Sequence, residues 1–384
     1  MEITSVKVRN WRNFKTVEFD VGKRLFMIGP NAAGKSNLMD VFRFLGDICT
    51  PGGGLTAALE KRGGAAAVRS LFARKKPNIE IDISLKEDNI RWRYYLSIKV
   101  EPRGLHRATV DEEIVEKDDE IILRRPSTED KTDSDLLTQT HLEQISANAE
   151  FRQIAKFFAS IKYLHLVPQL LRHPDITSEV FKEIYGSDLP SQVNGVQPMK
   201  TRAARLKKMA ESLRAAVPQF KDLQLDIDAK GKPHLVASYE NWRSHEAKQN
   251  EQYFSDGTLR LLGIVWTLIS APRSGGILLL EEPELSLNNS VVGMLPSLFA
   301  QAQRGIPTQL FISTHAPAIL DDEGVDPSEV LVLQVTSDGT VANLLSEIPS
   351  VRPQIDADLP LSEITNELIS PRSVNLLPAA LGER

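Results

Sequence analysis

The sequence has 384 residues with 46 basic and 51 acidic side chains, which gives a formal net charge of −5 at pH 7. Hydrophobic residues make up 41% and charged residues 25%, so the chain can bury a large core and wholesale disorder is excluded. Its length predicts two domains, or one large domain with an insertion. Because Cys49 is the only cysteine, disulfides within the chain and zinc ribbons are excluded. The acidic balance argues against an indiscriminate nucleic-acid coat, although a local basic face could still bind phosphates.

Apolar runs in this sequence are too short to cross a membrane, which takes roughly 20 residues as a helix. The longest candidates are 261–269 and 276–280. The opening segment, MEITSVKVRNWRNF, carries charges where a secretory signal would be apolar. We therefore expect a cytoplasmic protein that does not bind membranes.

The first hundred residues are mostly strand-like. Apolar alternation predicts strands at 3–8 and 17–21, a short buried strand at 24–28, and two further strands within 79–100. Apolar residues at helical spacing run from Asn37 to Ile48. The order around the short buried strand is therefore strand, glycine-rich loop, helix.

The middle of the chain changes character at Glu101. Residues 101–135 contain twelve acidic and six basic side chains, which predicts a solvated insertion. Helical patterns follow at 142–161 and 203–217, and a hairpin is predicted around 229–232.

The last third alternates helices with short apolar strands. Helices are predicted at 258–269 and 291–303, and buried strands at 277–280 and 308–312. This order indicates an α/β protein with a mainly parallel sheet that is covered on both faces.

The loop Gly29–Ser36 reads GPNAAGKS and satisfies the phosphate-loop pattern. Glycines let successive backbone N–H groups point at phosphate oxygens, and the following helix adds the positive end of its dipole. In such a loop Lys35 would reach the β and γ phosphates of a nucleotide, and the Ser36 hydroxyl would bind magnesium. The alternative is a glycine-rich turn without a ligand.

Two carboxylates end the buried strand in Gly276–Glu284, which reads GILLLEEPE. Alone, they could be a solvated strand cap. Beside a phosphate loop, Glu281 can hold the magnesium shell and Glu282 can orient or deprotonate the attacking water. The glutamate at Glu281 has a longer side chain than the aspartate that many such strands carry.

Two further motifs flank that strand. Phe254–Arg260 reads FSDGTLR, and Ser255 with the following amides would present donors at a helix N-terminus, although plain helix capping explains the same serine. FISTHAP places His315 after a buried strand, where a lone histidine could also be structural.

In this order, GPNAAGKS, FSDGTLR, LLLEEPELSL and ISTHAP resemble the ATP-binding-cassette ATPases of the SMC/RecF and OLD (overcoming lysogenization defect) type. The opening segment resembles the first strand and adenine-side loop of that family. The resemblance implies an ABC-type P-loop ATPase head with a mixed β-sheet lobe, a parallel core sheet and a helical insertion. The predicted divisions are ATPase lobe I (1–100), an acidic and helical insertion (101–219), lobe II (220–345) and a C-terminal tail (346–384).

The same resemblance implies ATP and Mg²⁺ as cofactors and gives each motif residue a role. Lys35 and Ser36 bind nucleotide and magnesium, Glu281 is the magnesium carboxylate, Glu282 the catalytic base and His315 the histidine that senses the γ phosphate. Further nucleotide-binding candidates are Asn31, Gly34, Asn37, Arg12, Asn13, Ser255 and Gly257. Of these, Ser255 and Gly257 would contact the ATP held by the opposite subunit, so that two ATP molecules are buried between two heads.

Two positions depart from the family pattern. Ala32 replaces a frequent glycine in the phosphate loop, which matters only if that position needs a positive φ angle. The segment Ser286–Ser290, SLNNS, lacks the histidine-proline pair that the family often carries there, which leaves the loop that crosses to the other subunit unassigned.

The interval 37–254 has neither the coiled coil of long-armed SMC proteins nor a zinc hook, and about forty residues follow Leu345, too few for the Toprim domain of OLD nucleases. The chain therefore resembles stand-alone ATPases of bacterial DNA repair and anti-phage defence systems. The leading hypothesis is an ATPase that forms a homodimer or higher oligomer through an ATP sandwich, senses or clamps DNA or RNA, and controls a separate effector protein. A second hypothesis is an ATPase scaffold that holds a toxic effector without binding DNA, and a third is a transporter energy subunit.

Two basic clusters could serve the leading hypothesis, although a solvated helix face is the simpler explanation of each. Their members are Arg69, Arg74, Lys75 and Lys76 in the first, and Arg202, Arg205, Lys207, Lys208 and Arg214 in the second.

Overall fold

The computed structural model describes residues 1–73, 77–101, 107–173, 185–240, 247–272 and 275–370. The chain divides into two compact units. Unit 1 comprises Met1–Lys162, Arg273–Leu279 and Gly305–Arg384, and unit 2 comprises Tyr163–Pro272 and Leu280–Arg304. The domain boundaries predicted from the sequence stay predictions.

An antiparallel sheet occupies the first part of unit 1. Its strands are β1 (Glu2–Trp11), β2 (Phe14–Asp20), β4 (Ile79–Glu87), β5 (Ile90–Val100), β6 (Ala108–Lys117) and β7 (Glu120–Arg125). They follow the order β2–β1–β4–β5–β6–β7. All of these neighbouring pairs are antiparallel, so this sheet is built from successive hairpins apart from the β1–β4 step.

The acidic segment was wrongly predicted as a solvated insertion, because β6 and β7 form one edge of this sheet. Val110, Ile114 and Val115 of β6 are buried, and most of the acidic side chains between them are only half-buried. Glu113 is fully buried, since the guanidinium of Arg125 neutralises it. A high count of carboxylates therefore did not prevent this segment from packing.

The second sheet carries the glycine-rich loop. Its strands are β3 (Arg24–Ile28), β8 (Lys162–Leu164), β12 (Gly276–Glu281), β13 (Thr308–Thr314), β14 (Val330–Thr336) and β15 (Gly339–Leu344). Their order is β15–β14–β3–β13–β12–β8, and β3 runs parallel to both β13 and β14. β15 pairs antiparallel with β14 at one edge. Every residue of β12 and β13 is buried, which confirms the predicted, mainly parallel sheet with both faces covered.

Unit 1 also contains seven α-helices among its described residues. They are α1 (Lys35–Cys49), α2 (Leu55–Glu60), α3 (Ala65–Val68), α4 (Thr128–Thr132), α5 (Arg152–Ala159), α12 (Arg352–Asp356) and α13 (Leu361–Ile369). Of the helix predicted over 142–161, only α5 forms, and turns precede it.

Unit 2 combines helices with a small antiparallel sheet. The helices are α6 (Pro168–Arg172), α7 (Leu189–Gly195), α8 (Met199–Ala216), α9 (Asp256–Ser270), α10 (Asn289–Gly293) and α11 (Leu295–Gln303). The sheet, in the order β11–β10–β9, consists of β9 (Phe220–Ile227), β10 (Pro233–Tyr239) and β11 (Ala247–Asn250). The predicted hairpin is confirmed by the antiparallel pairing of β9 with β10.

A buried apolar cluster joins α8, α9 and this small sheet, with Met209, Leu213, Leu235 and Leu262 at its centre. The helix predicted over 291–303 is divided at Met294 into α10 and α11. Pro296 explains the break, since proline has no N–H to continue a helix and is tolerated only in a first turn. Among the described helices, none is long and apolar enough to cross a bilayer.

Candidate functional site

The glycine-rich loop joins the carboxyl end of β3 to the N-terminus of α1 in unit 1. Gly34 caps α1 with φ 98°, and a Cβ atom at this position would lie 2.2 Å from Nδ2 of Asn13. Only glycine fits here, for both its backbone angle and its lack of a side chain. Ala32 also has a positive φ of 63°, so the alanine that replaces the usual glycine carries a conformational cost of roughly 1–2 kcal/mol.

Lys35 lies at the centre of this loop with only 6% of its surface exposed. Its Nζ donates to the carbonyl oxygens of Gly29 at 2.8 Å and Pro30 at 3.3 Å. Nζ is also 3.2 Å from Nδ1 of His315, which follows β13. A lysine ammonium has only donors, so the imidazole nitrogen accepts and is unprotonated. The structure thus brings together two of the residues that the sequence predicted for one site.

Asn13 lies in the turn between β1 and β2 and forms hydrogen bonds to the glycine-rich loop and to α1. Its Nδ2 donates to the carbonyl oxygen of Ala33 at 2.8 Å, and its Oδ1 accepts from Nδ2 of Asn37 at 2.7 Å. Arg12, the neighbouring residue, pairs with Asp40 of α1 at 3.0 Å. These contacts stabilise the loop and the first turns of α1. The predicted contact of Arg12 and Asn13 with a nucleotide stays a prediction.

Asn31, Ala32 and Ser36 are exposed in this loop, and Asn31 and Ser36 are its exposed polar side chains. Ser36 is the second residue of α1, so its hydroxyl lies at the positive end of the helix dipole. The loop therefore combines a buried ammonium with exposed polar side chains and the N-terminal end of a helix dipole. This combination attracts phosphate groups.

The two carboxylates at the end of β12 belong to unit 2. Glu281 is buried, and the Tyr163 hydroxyl donates a hydrogen bond to its Oε2. Glu282 has φ 46°, and its carbonyl oxygen accepts from Nη1 of Arg260 at 3.0 Å. A positive φ at a non-glycine residue is uncommon and turns the chain sharply directly after the buried strand.

Arg260 is a member of this site that sequence reasoning passed over, although it ends the FSDGTLR motif. It is 4% exposed, and its Nε has no hydrogen-bond partner in the part of the chain that the structure describes. Burial lowers its pKa, an effect that the charges of Glu284, Glu282 and Asp256 oppose. An arginine stays protonated under these conditions, so Arg260 keeps a buried positive charge beside the backbone of Glu282.

The FSDGTLR motif forms the N-cap and the first turn of α9 in unit 2. The Ser255 hydroxyl accepts from the Thr258 N–H at 3.2 Å, so this serine caps α9, as the simpler interpretation held. Gly257 packs closely against the backbone of Ser286, since a Cβ atom at position 257 would lie 2.6 Å from the Ser286 carbonyl oxygen. Ser255 itself is exposed, which leaves the loop open to a ligand.

The second basic cluster lies on α8 of unit 2. Arg202 donates to the Asn194 carbonyl at 3.0 Å, the Arg205 guanidinium lies 5.5 Å from the ring centre of Trp266, and Arg214 donates to the Lys221 carbonyl at 2.6 Å. Lys207 and Lys208 are exposed. In the first cluster, Arg69 is exposed, and Arg74, Lys75 and Lys76 lie outside the described residues.

A sequence model of the family described as "AAA domain, putative AbiEii toxin, Type IV TA system" matches residues 25–321. The chain is similar to a solved SmcHead bound to the C-winged helix domain of ScpA, with a TM-score of 0.53 and 14% identity over 89% of this chain and 98% of that one. It is also similar to a Smc head domain derived from Pyrococcus furiosus, with a TM-score of 0.49 and 13% identity over 92% of this chain and 99% of that one. Among curated protein sequences, none matches the chain. At 14% identity, the first structural likeness concerns the fold, and it confirms the predicted ABC-type head.

Proposed function

The chain belongs to this AAA-domain family and has the fold of SMC-head ATPases, and from that premise we propose that it binds ATP with magnesium, hydrolyses it and closes as a dimer to control an effector protein. The observation that carries the proposal is the arrangement of Lys35 with the loop carbonyls and His315. A buried ammonium at a helix N-terminus suits a polyphosphate better than any neutral ligand.

In this proposal the loop binds the phosphates and Lys35 turns its ammonium from the loop carbonyls toward the β and γ phosphates. His315, already at hydrogen-bond distance from Lys35, detects whether a γ phosphate is present. Magnesium in nucleotide sites keeps several waters and takes one or two protein oxygens. The exposed Ser36 hydroxyl and the buried Glu281 carboxylate supply oxygens of that kind, and bound magnesium would neutralise the charge that develops on the phosphates.

Glu282 acts in this scheme as the base that orients and deprotonates the attacking water. Its backbone is fixed by Arg260, so its carboxylate starts from a defined position at the end of β12.

Dimer closure is proposed for the FSDGTLR loop, because the family resemblance implies that this loop contacts the ATP of a second subunit. The exposed Ser255 and the tightly fitted Gly257 support this role. We expect ATP to convert Glu282→Gln protein into closed dimers, since bound ATP then persists. Ser255→Arg should prevent closure through bulk and charge near the γ phosphate, while each subunit still binds ATP. Light scattering with and without ATP measures dimer closure, and the binding of a fluorescent ATP analogue measures the ATP affinity of each subunit.

Thr56→Arg is a suitable control for that experiment, because Thr56 is exposed in unit 1 and outside the predicted site. It adds the same side chain and should leave closure unchanged. Normal ATP-driven dimers with Ser255→Arg would show that the composite site is wrong.

A separate effector is proposed from two findings. The family description names a toxin of a toxin–antitoxin system, and the SmcHead of similar fold was solved bound to a domain of another protein, ScpA. We propose that closure and opening of this ATPase govern such an effector in DNA repair or anti-phage defence.

Nucleic-acid binding is proposed for the exposed lysines of α8. The side chain of Lys207 is 78% exposed, and the Glu211 carboxylate oxygen with which it pairs is 4.0 Å away, so its charge is available to a phosphate. Changing Lys207 and Lys208 to Glu should weaken binding of double-stranded DNA and lower the log–log salt slope by about 0.9 for each phosphate that the protein no longer neutralises. Fluorescence anisotropy at several salt concentrations, in ATP, measures both quantities.

Lys230→Glu with Lys248→Glu is the matched control, because both residues are exposed in unit 2 and the change in charge is the same. If wild-type protein shows no salt-sensitive DNA binding even when closed, the clamp hypothesis fails. The alternative, an ATPase scaffold that holds a toxic effector without touching DNA, then takes its place.

A further inference from the structure

The hydrogen bond between Tyr163 and Glu281 lies within unit 2 and has no part in the family resemblance. Tyr163 is the middle residue of β8 and Glu281 the last residue of β12, and these two strands are neighbours in the second sheet. The tyrosine hydroxyl donates to Oε2 of the carboxylate. Tyr163 is half-buried and Glu281 is 9% exposed, so little water competes for this contact.

The hydrogen bond from the Tyr163 hydroxyl affects the orientation of the residue 281 side chain more strongly because that residue is a glutamate and not an aspartate. A glutamate has one more rotatable bond than an aspartate, and its carboxylate would otherwise sample several orientations. A hydrogen bond from a hydroxyl to an ionised carboxylate is charge-assisted and strong. Tyr163, held by the backbone of β8, therefore restricts the long side chain to one orientation.

The same hydrogen bond is compatible with a metal ion on the carboxylate. An ionised carboxylate has about four lone-pair positions, and the tyrosine hydroxyl occupies one of them on Oε2. A carboxylate can therefore accept from a hydroxyl and bind a metal ion, or a water of its shell, at the same time. Groups that orient a metal ligand in this way commonly change metal affinity 10–100-fold when they are removed.

We propose that Tyr163 is a positioning residue that orients the Glu281 carboxylate for magnesium. The inference rests on the proposed function in one respect, namely that Glu281 serves the metal of an ATP site. It adds a residue outside every predicted motif, contributed by a strand that sequence reasoning did not predict.

The test uses Tyr163→Phe in the full chain, with Mn²⁺ as the probe in place of magnesium and a non-hydrolysable ATP analogue bound. Titration followed by electron paramagnetic resonance should show Mn²⁺ binding weakened about tenfold. Affinity for the analogue in EDTA should be unchanged, because no metal is present. Tyr239→Phe is the matched control, since it removes a tyrosine hydroxyl from β10 in the same unit.

A double-mutant cycle with Glu281→Asp separates positioning from a general loss of structure. Aspartate withdraws the carboxylate by one methylene from the tyrosine, so Tyr163→Phe should cost little further Mn²⁺ affinity in that background. An equal tenfold loss in both backgrounds would overturn the proposal, because the tyrosine would then act independently of Glu281.

Two other results would also overturn it. Unchanged Mn²⁺ affinity in Tyr163→Phe would show that the hydrogen bond is dispensable, and tighter binding would show that the hydroxyl competes with the metal. If the wild-type chain binds the analogue but Lys35→Ala does not, the proposed nucleotide site stands whatever the result for Tyr163. If neither binds, the proposed function fails first.

Discussion

Replacing Glu282 by glutamine should slow ATP hydrolysis by a factor on the order of a hundred or more while ATP still binds. Glutamine keeps the shape of the side chain but cannot take a proton from the attacking water. The backbone should not change, because the Arg260 hydrogen bond goes to the carbonyl of residue 282 and not to its side chain. Phosphate release measures hydrolysis, and equilibrium binding of a fluorescent ATP analogue measures affinity.

Glu211→Gln provides the control for this variant, because Glu211 is an exposed glutamate of α8 in the same unit. Its turnover should equal that of the wild type. If Glu282→Gln also hydrolyses ATP at the wild-type rate, another group must activate the water and the role proposed for Glu282 is wrong.

The sequence predicted the position of Glu282 but not the geometry that supports it. A run of buried aliphatic residues followed by carboxylates reveals where a strand ends, because that pattern depends on neighbours in the chain. The contact between the Glu282 carbonyl oxygen and Arg260 depends on a residue 22 positions earlier. Tyr163 is more remote still, 118 positions from Glu281, and no local pattern marks it.

Much of the fold was predictable for the same reason. The order of β3, loop and α1, the buried strands β12 and β13, and the hairpin of β9 and β10 all follow from local periodicity and turn chemistry. The prediction of a solvated insertion at residues 101–135 was wrong because the structure of this segment depends on contacts that are distant in sequence. Composition indicated a solvated segment, whereas pairing with β5 supplied partners for its backbone, and Arg125 supplied a partner for its buried carboxylate.

Arg125 is the centre of a buried polar cluster in unit 1. Its guanidinium donates to Asp130 and to the carbonyl oxygens of Gln139 and Leu136, and it pairs with Glu113 at 3.3 Å. Arg125, Glu113 and Asp130 are at most 2% exposed. Burial raises the pKa of Glu113, while the His141 N–H and the Arg125 charge oppose that shift. The positive charge of Arg125 therefore offsets the free-energy cost of burying the carboxylates of Glu113 and Asp130.

Arg125→Met should lower the free energy of unfolding by about 3–5 kcal/mol, the usual cost of removing one partner from a buried ion pair. Methionine preserves much of the side-chain length, so the loss reports on charge and hydrogen bonds more than on a cavity. Arg124→Met is the matched control, since its neighbouring guanidinium pairs with Glu112 while its side chain is 62% exposed. Exposed pairs contribute about 0–1 kcal/mol, so this control should be nearly neutral. Urea denaturation measures both variants.

The destabilisation by Arg125→Met should also depend on pH. Without the guanidinium, the pKa of Glu113 rises further above its value in the unfolded chain. An acid whose pKa is raised by folding costs stability only at pH values where the unfolded chain has already lost its proton. The deficit should therefore be larger at pH 8 than at pH 5, where Glu113 can take up a proton and become neutral. A deficit that is the same at both pH values, or as small as that of Arg124→Met, would show that Arg125 does not stabilise this segment by compensating the charge of Glu113.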